Sequence, residues 1–175
     1  MFVLGVDPGL SRCGYGLVGR GPGRSGDLVA HAGGVIETPP EDAIPERLFA
    51  LQGELRSLLS EFRPDVVVVE RVFFQVNAKT AVSVCQASGL ALAAAAEAGC
   101  EVVQYTANEV KQALVGYGSA TKDQVQRMVA SVLGLAGPPN PPDAADALAL
   151  AVCHLHSQGL RRAVANATAG VGGQT

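Results

Sequence analysis

Four consecutive valines, Val66 to Val69, stand between the helix-breaking pair Arg63-Pro64 and the carboxylate of Glu70. An uninterrupted β-branched run is the pattern of a central strand covered on both faces, because a strand with one wet face alternates apolar with polar residues. Such a strand needs helices above and below it, which constrains the chain to an α/β architecture. The preceding segment supplies one of them. Ile44, Leu48, Leu51, Leu55, Leu58, Leu59 and Phe62 recur at helical spacing, with Glu46, Arg47, Glu54, Arg56 and Glu61 elsewhere around the helix.

Phe2-Val3-Leu4-Gly5-Val6 reads as a second buried strand, closed at once by Asp7-Pro8-Gly9. If the valine strand lies parallel to it and beside it, the common placement across a helical crossover, Asp7 and Glu70 meet at one sheet edge. That is the edge where α/β folds put ligand chemistry. Asp before Pro-Gly is also an ordinary turn residue, so Asp7 alone decides nothing. Gly14 to Val18 and Leu28 to Thr38 follow as strands with no helix between them, which predicts an antiparallel three-strand meander and hence a five-stranded mixed sheet with helices on both faces. Gly14-Tyr15-Gly16-Leu17-Val18-Gly19 spells G-x-G-x-x-G. The dinucleotide fingerprint requires those glycines to open a helix, whereas this run enters a Gly/Arg loop, and the match is rejected.

Residues 77–98 read as a long helix whose Ala81, Cys85, Ser88, Gly89, Leu92 and Ala96 form a face of small residues, suited to close packing in the core or against a second subunit. Glu101 to Tyr105 is the fifth strand. Thr106 and Thr121 are N-caps of two further helices, the second running to Leu133, and Gly134 to Pro142 is an extended linker. A last helix resumes at Asp143 and is expected to fade near Gln158-Gly159. The whole is one domain over residues 1–160, with 161–175 a disordered tail. Cys13, Cys85, Cys100 and Cys153 form no C-x-x-C pair and sit in apolar contexts, as buried thiols do in a reducing cytoplasm. No apolar run reaches the ~18 residues of a membrane span and no secretory signal is visible, so a cytoplasmic location is expected. The formal net charge of −3 argues mildly against a nucleic-acid partner.

Pro141-Pro142-Asp143-Ala144-Ala145-Asp146-Ala147-Leu148 changes that balance. Asp143 and Asp146, three residues apart, share a helix face. Asp143 alone is explained as an acid favouring the positive end of the helix dipole. Asp146 is flanked by alanines and leucines, where an unpaired carboxylate is costly to bury, and a metal is the economical partner. Asp7, Glu70, Asp143 and Asp146, with no accompanying His or Cys cluster, favour Mg²⁺ or Mn²⁺ over zinc. Two such ions ~3.5–4 Å apart suit phosphodiester hydrolysis, and they would cancel the negative charge that the four acids contribute. His154 lies ~16 Å along an ideal helix from Asp143, too far to serve as a general base.

These motifs, G-V-D-P-G at the start, V-V-E-R-V-F-F from Val68 to Phe74, V-K-Q-A-L-V-G from Val110 to Gly116 and D-A-A-D-A-L-A from Asp143 to Ala149, occur in an order and spacing that resembles the RuvC family of bacterial Holliday junction resolvases, within the ribonuclease H-like superfamily. The resemblance implies a homodimer that nicks two opposed strands of a four-way DNA junction in recombination and repair, working beside the RuvA–RuvB branch-migration motor. It implies Asp7, Glu70, Asp143 and Asp146 as the metal-binding catalytic acids, although some members carry His at the position of Asp143. Phe73 matches an aromatic that stacks on bases, and Phe74 is its neighbour; by residue type alone, an apolar pair after a central strand is more often a core feature. Lys111 and Lys122 match lysines near the scissile phosphate, where residue type alone reads as solvated helix surface. Arg71, Lys79 and Arg127 are further backbone contacts with no motif behind them.

Two other classes share these features. Actin-like and sugar-kinase nucleotide-binding lobes also begin with a strand followed by Asp-x-Gly, though they use two such lobes to clamp nucleotide. A non-catalytic DNA-binding member of the same fold would be expected to lose acids, and all four are in place here.

Overall fold

A computed structural model describes residues 1–21, 27–72 and 78–171, with residues 78–80 and 159–171 described by their backbone alone. The elements follow the order β1 (Phe2–Asp7), β2 (Arg12–Arg20), β3 (Leu28–Glu37), α1 (Ile44–Phe62), β4 (Val66–Glu70), α2 (Ala78–Glu97), β5 (Glu101–Tyr105), α3 (Ala107–Val115), α4 (Lys122–Val132) and α5 (Pro142–Val171). The sheet runs β3-β2-β1-β4-β5. The first three strands pair antiparallel, and β1, β4 and β5 are parallel. This is the mixed five-stranded sheet that the sequence predicts. The valine strand occupies the position between β1 and β5, its side chains buried on both faces.

Strand periodicity divides those side chains between two cores. Val3, Val18, Val66 and Val68 pack with α3, α4 and α5, while Leu4, Val6, Val67 and Val69 pack with α1 and α2. Asp7 has the parity of Val3 and Gly5, and Glu70 that of Val66 and Val68. Both acids therefore continue the face that α5 covers.

The glycines of the rejected dinucleotide motif have a different use. A Cβ on Gly14 would lie 2.2 Å from the carbonyl oxygen of Asp143, and one on Gly16 would lie 2.6 Å from Cγ of Leu148. On β1, a Cβ on Gly5 would lie 1.9 Å from the carbonyl oxygen of Ala147. A glycine in a strand marks close backbone approach, and here three of them let α5 settle flush against β1 and β2.

Several boundaries differ from the sequence reading. β2 begins at Arg12 and reaches Arg20, beyond the expected Gly14 to Val18, because its pairing with β3 continues past the apolar residues at both ends. α5 does not fade near Gln158-Gly159, and the expected tail is helical as far as Val171. Leu160 to Ala169 has no proline and is rich in alanine and arginine, so a single glycine does not stop it. Along α2 the fully buried stripe is Ala87, Ala91, Ala94 and Ala95. Of the expected small-residue face, Ser88 is buried, Ala81, Cys85 and Leu92 are half-buried, and Gly89 and Ala96 are exposed. Cys13 and Cys153 are buried, Cys85 and Cys100 half-buried, and all four are free thiols. Among the described residues no helix is long and apolar enough to cross a membrane.

Candidate active site

Asp7 and Glu70 close adjacent parallel strands whose register pairs Val6 with Val69, which brings the two carboxyls to the same edge. α5 crosses that edge on its glycine seat and adds Asp146, with Ala149 and Leu150 one turn further on. From the other side α3 contributes Ala107, Val110 and Lys111, again one helical turn, and α4 contributes Lys122 and Val125. Together these residues line one pocket of about 250 Å³. Local sequence fixes both helix starts. Thr106 and Glu109 form a reciprocal capping box at α3, and Thr121 and Gln124 form another at α4, so Lys122 is the first helical residue facing the acids.

Electrostatics in the pocket follow from burial. The Asp7 carboxyl is pushed from 3.8 to about 8, first by loss of water, then by the neighbouring charge of Glu70 and a hydrogen bond shared with it, and then by Asp146 and Asp143. Glu70 is raised by burial, an effect partly offset by its bond to Asp7. Lys122 Nζ lies 2.5 Å from Asp146 Oδ2. Although burial works against its charge, the bond to Asp146 and the charges of Asp146, Asp7 and Asp143 raise its pKa above the ordinary value.

Asp143 is near enough to act on Asp7 through space, but its carboxylate is engaged elsewhere: Arg12 donates to it from Nε at 3.0 Å. Arg12 also pairs with Glu37. Arg12 carries no motif in the sequence, and Arg47, expected among the charged residues away from the apolar face of α1, is instead a buried guanidinium that donates to Ser11 Oγ at 2.6 Å and to Thr38 Oγ1 at 3.0 Å. Thr38 in turn donates to the Leu10 carbonyl at 2.5 Å, so Arg47 braces the turn that follows Asp7. The available signal for Arg12 is parity, since it stands two residues before Gly14 on the same face of β2.

The other expected residues are distributed as follows. Lys111 is half-buried in the pocket. Arg71 is exposed beside Glu70, its backbone N–H donating to Tyr105 O at 2.8 Å. Arg127 is exposed and paired with Asp123 of its own helix at 2.6 Å, away from the pocket lining. Phe73 and Phe74 lie outside the described residues, as does the side chain of Lys79. His154 is buried, within 3.2 Å of Tyr105 and 2.9 Å of Gln158, and does not line the pocket.

Among the described residues no three His, Cys, Asp or Glu side chains form a ready-made metal cage. Asp146 is drawn toward Lys122, Asp143 toward Arg12, and Asp7 and Glu70 toward each other. The donor chemistry nevertheless fits a hard divalent cation: carboxyl oxygens converge on one pocket whose lining holds no sulfur or imidazole, and the ionised forms of Asp7 and Glu70, disfavoured by burial, would be stabilised by a cation beside them. A larger cleft of about 750 Å³ lies at the opposite end of the sheet, between α1, α2 and the start of β4. Its acids are already engaged: Glu97 is paired with Arg56 at 2.9 Å, and Asp65 accepts the Phe2 N–H at 2.6 Å.

The family model described as "Crossover junction endodeoxyribonuclease RuvC" matches residues 3–154. A crossover junction endodeoxyribonuclease RuvC from Syntrophomonas wolfei is 50% identical over 157 residues, 90% of each chain. Among solved structures, RuvC of Thermus thermophilus superposes with a TM-score of 0.84 at 38% identity, covering 91% of this chain and 96% of that one. The structure of T. thermophilus RuvC in complex with Holliday junction substrate superposes with a TM-score of 0.81 at 35% identity, with the same coverage. A match across most of the chain, at such identity and with the same fold, sets aside the nucleotide-binding lobe as an alternative. The chain belongs to the RuvC family of crossover junction endodeoxyribonucleases.

Proposed function

We propose that this protein resolves four-way DNA junctions by hydrolysing one phosphodiester in each of two opposed strands during recombination and repair. The observation that carries the reading is the convergence of Asp7, Glu70 and Asp146 with Lys111 and Lys122 around one pocket. Asp7, Glu70 and Asp146 would hold divalent cations, Mg²⁺ or Mn²⁺ and two per site, with Asp143 completing the set. Bound there, the ions would supply Lewis acidity to the attacking water and to the leaving oxygen.

The chain's own residues supply the rest. Lys111 and Lys122, on separate helices facing the acids, are suited to hold the non-bridging oxygens of the scissile phosphate and to stabilise the charge that builds on them. Val110, Val125, Ala149 and Leu150 form the apolar wall, which lowers the local dielectric and strengthens those interactions. His154, already bonded to Tyr105 of β5 and Gln158 of α5, carries no proton in this scheme. Arg71, Lys79 and Arg127 would contact the DNA backbone. Phe73, and Phe74 beside it, would stack on bases at the junction, worth ~1–3 kcal/mol per base.

A two-fold homodimer presents two equivalent sites to two equivalent strands. Of the small-residue face of α2 expected at a subunit interface, Gly89 and Ala96 are exposed, and with Val82 and Ala93, also exposed, they make the outer face of the helix the candidate interface. A contact with the RuvA–RuvB motor and a cytoplasmic setting complete the proposal.

The decisive experiment compares cleavage of a synthetic four-way junction with that of a linear duplex, in Mg²⁺, in Mn²⁺ and in EDTA, for the wild type and Asp146→Asn. Paired nicks in the junction alone, dependent on the cation and abolished by the substitution while junction binding persists, are expected. Cleavage at the normal rate by Asp146→Asn in Mg²⁺ would remove this site from the mechanism.

A further inference from the structure

We propose that Arg12 is a built-in competitor of the catalytic cation: it neutralises Asp143 and thereby sets how tightly the site binds metal. The inference rests on the reading of the acids as cation ligands and adds a residue to it.

Three features of the fold put Arg12 there. It is the first residue of β2 and, two positions before Gly14 and four before Gly16, shares their face of the strand. That face is the one α5 covers, with the Asp143 backbone lying against Gly14 and Leu148 against Gly16. Arg12 consequently stands beside the first turn of α5, and its Nε donates to Asp143 Oδ2 at 3.0 Å. Glu37 is the direct cross-strand partner of Arg12 on β3, and its carboxylate takes the other end of the guanidinium. A cross-strand ion pair at a fixed register holds the arginine in place on the α5 face.

Arg12 offsets the charge of Asp143 and holds its Oδ2, so a hard cation that takes Asp143 as a ligand competes with the guanidinium for that charge and for the orientation of the carboxylate. Glu37 eases the exchange by retaining the guanidinium at the neighbouring strand. Arg12 and Glu37 thus pull Asp143 in opposite senses: the first weakens metal binding, the second favours it. Arg12 lies outside the pocket formed by Asp7, Glu70, Asp146 and the two lysines, and so acts on the metal through Asp143 as a positioning residue.

The test is titration of metal-free protein with Mn²⁺ alone, with free ion followed by electron paramagnetic resonance and no DNA present. Arg12→Gln is expected to bind Mn²⁺ ~3-fold or more tightly than the wild type, in line with the strength of a partly exposed ion pair. Glu37→Gln is expected to bind it more weakly. The discriminating variant combines Arg12→Gln with Asp143→Asn. If Arg12 acts through Asp143, the tightening vanishes in that background. A tightening of equal size with and without the Asp143 carboxylate would reduce Arg12 to one more distant positive charge and overturn the proposal. So would an unchanged affinity in Arg12→Gln. Saturable Mn²⁺ binding that is lost in Asp146→Asn would in either case leave the acids standing as cation ligands, whereas its absence from the wild type would overturn both readings together.

Discussion

An acid with a folded pKa of about 8 behaves in the folded chain unlike its unfolded counterpart, and Asp7 is such an acid. In the unfolded chain an aspartate releases its proton near ~3.9. Between those two values the folded protein binds more protons than the unfolded one, so the stability of the metal-free protein falls as pH rises through that window. Glu70, raised by burial, contributes with the same sign. The thermal midpoint in EDTA is expected to drop between pH 5 and pH 8.5, and Asp7→Asn, which removes the titrating group, should flatten the slope and be the more stable protein at the alkaline end while losing cleavage. Saturating Mg²⁺ should oppose the drop, since the ion requires the deprotonated carboxyls. Superimposable pH profiles for wild type and Asp7→Asn would show that Asp7 is not buried among like charges as described.

At the scale of elements, what α5 brings to the site depends on how closely it approaches β1. A methyl group at Gly5 would meet the Ala147 carbonyl at 1.9 Å, backbone against backbone, with no flexible side chain to give way. Gly5→Ala is therefore expected to lower stability by ~1–3 kcal/mol, the usual cost of overpacking, and to lift Asp146 away from Asp7. Gly53→Ala, in the exposed interior of α1 with open space around the new methyl, is the control and should raise stability by ~0.5–1 kcal/mol. Denaturant unfolding of both, with cleavage measured alongside, checks the pair, and a Gly5→Ala protein as stable and as active as the wild type would contradict the seat. The same contact explains what the sequence discloses and what it conceals. Asp7 and Glu70 are legible because each closes an apolar strand, and Thr106 and Thr121 because capping boxes are local. Arg12 and its hold on Asp143 are hidden because they depend on which strand face a distant helix covers. The glycines that announce that approach also spell a familiar nucleotide-binding pattern, and only their strand setting tells the two apart.

The proposed function sets the whole molecule two demands, to present two sites and to draw a polyanion toward a cluster of acids. If α2 forms the two-fold interface, Val82→Glu, at a side chain already 62% exposed in the single chain, should leave the fold intact and shift sedimentation from dimer to monomer. Nicking by that variant should lose its pairing across the junction, and a dimer that persists would place the interface elsewhere. The second demand is electrostatic. The chain carries a formal charge of −3, and four carboxyl groups stand at or beside the point where, in the proposed function, a phosphate docks. Without divalent cations Asp7 keeps its proton near neutral pH, the charge left on the other acids repels DNA, and Lys122 is tied to Asp146 instead of being available to a phosphate. Asp146→Asn removes one negative charge and frees that ammonium. In EDTA, the Asp146→Asn protein is therefore expected to bind a four-way junction ~3-fold or more tightly than the wild type, most visibly at low salt where screening is weak. In Ca²⁺ the gap should close or reverse, because the ion neutralises the wild-type acids and binds less well to a site missing one of them. Equal affinities for the two proteins in EDTA, measured by fluorescence anisotropy at matched ionic strength, would mean that the acids do not lie on the path of the DNA.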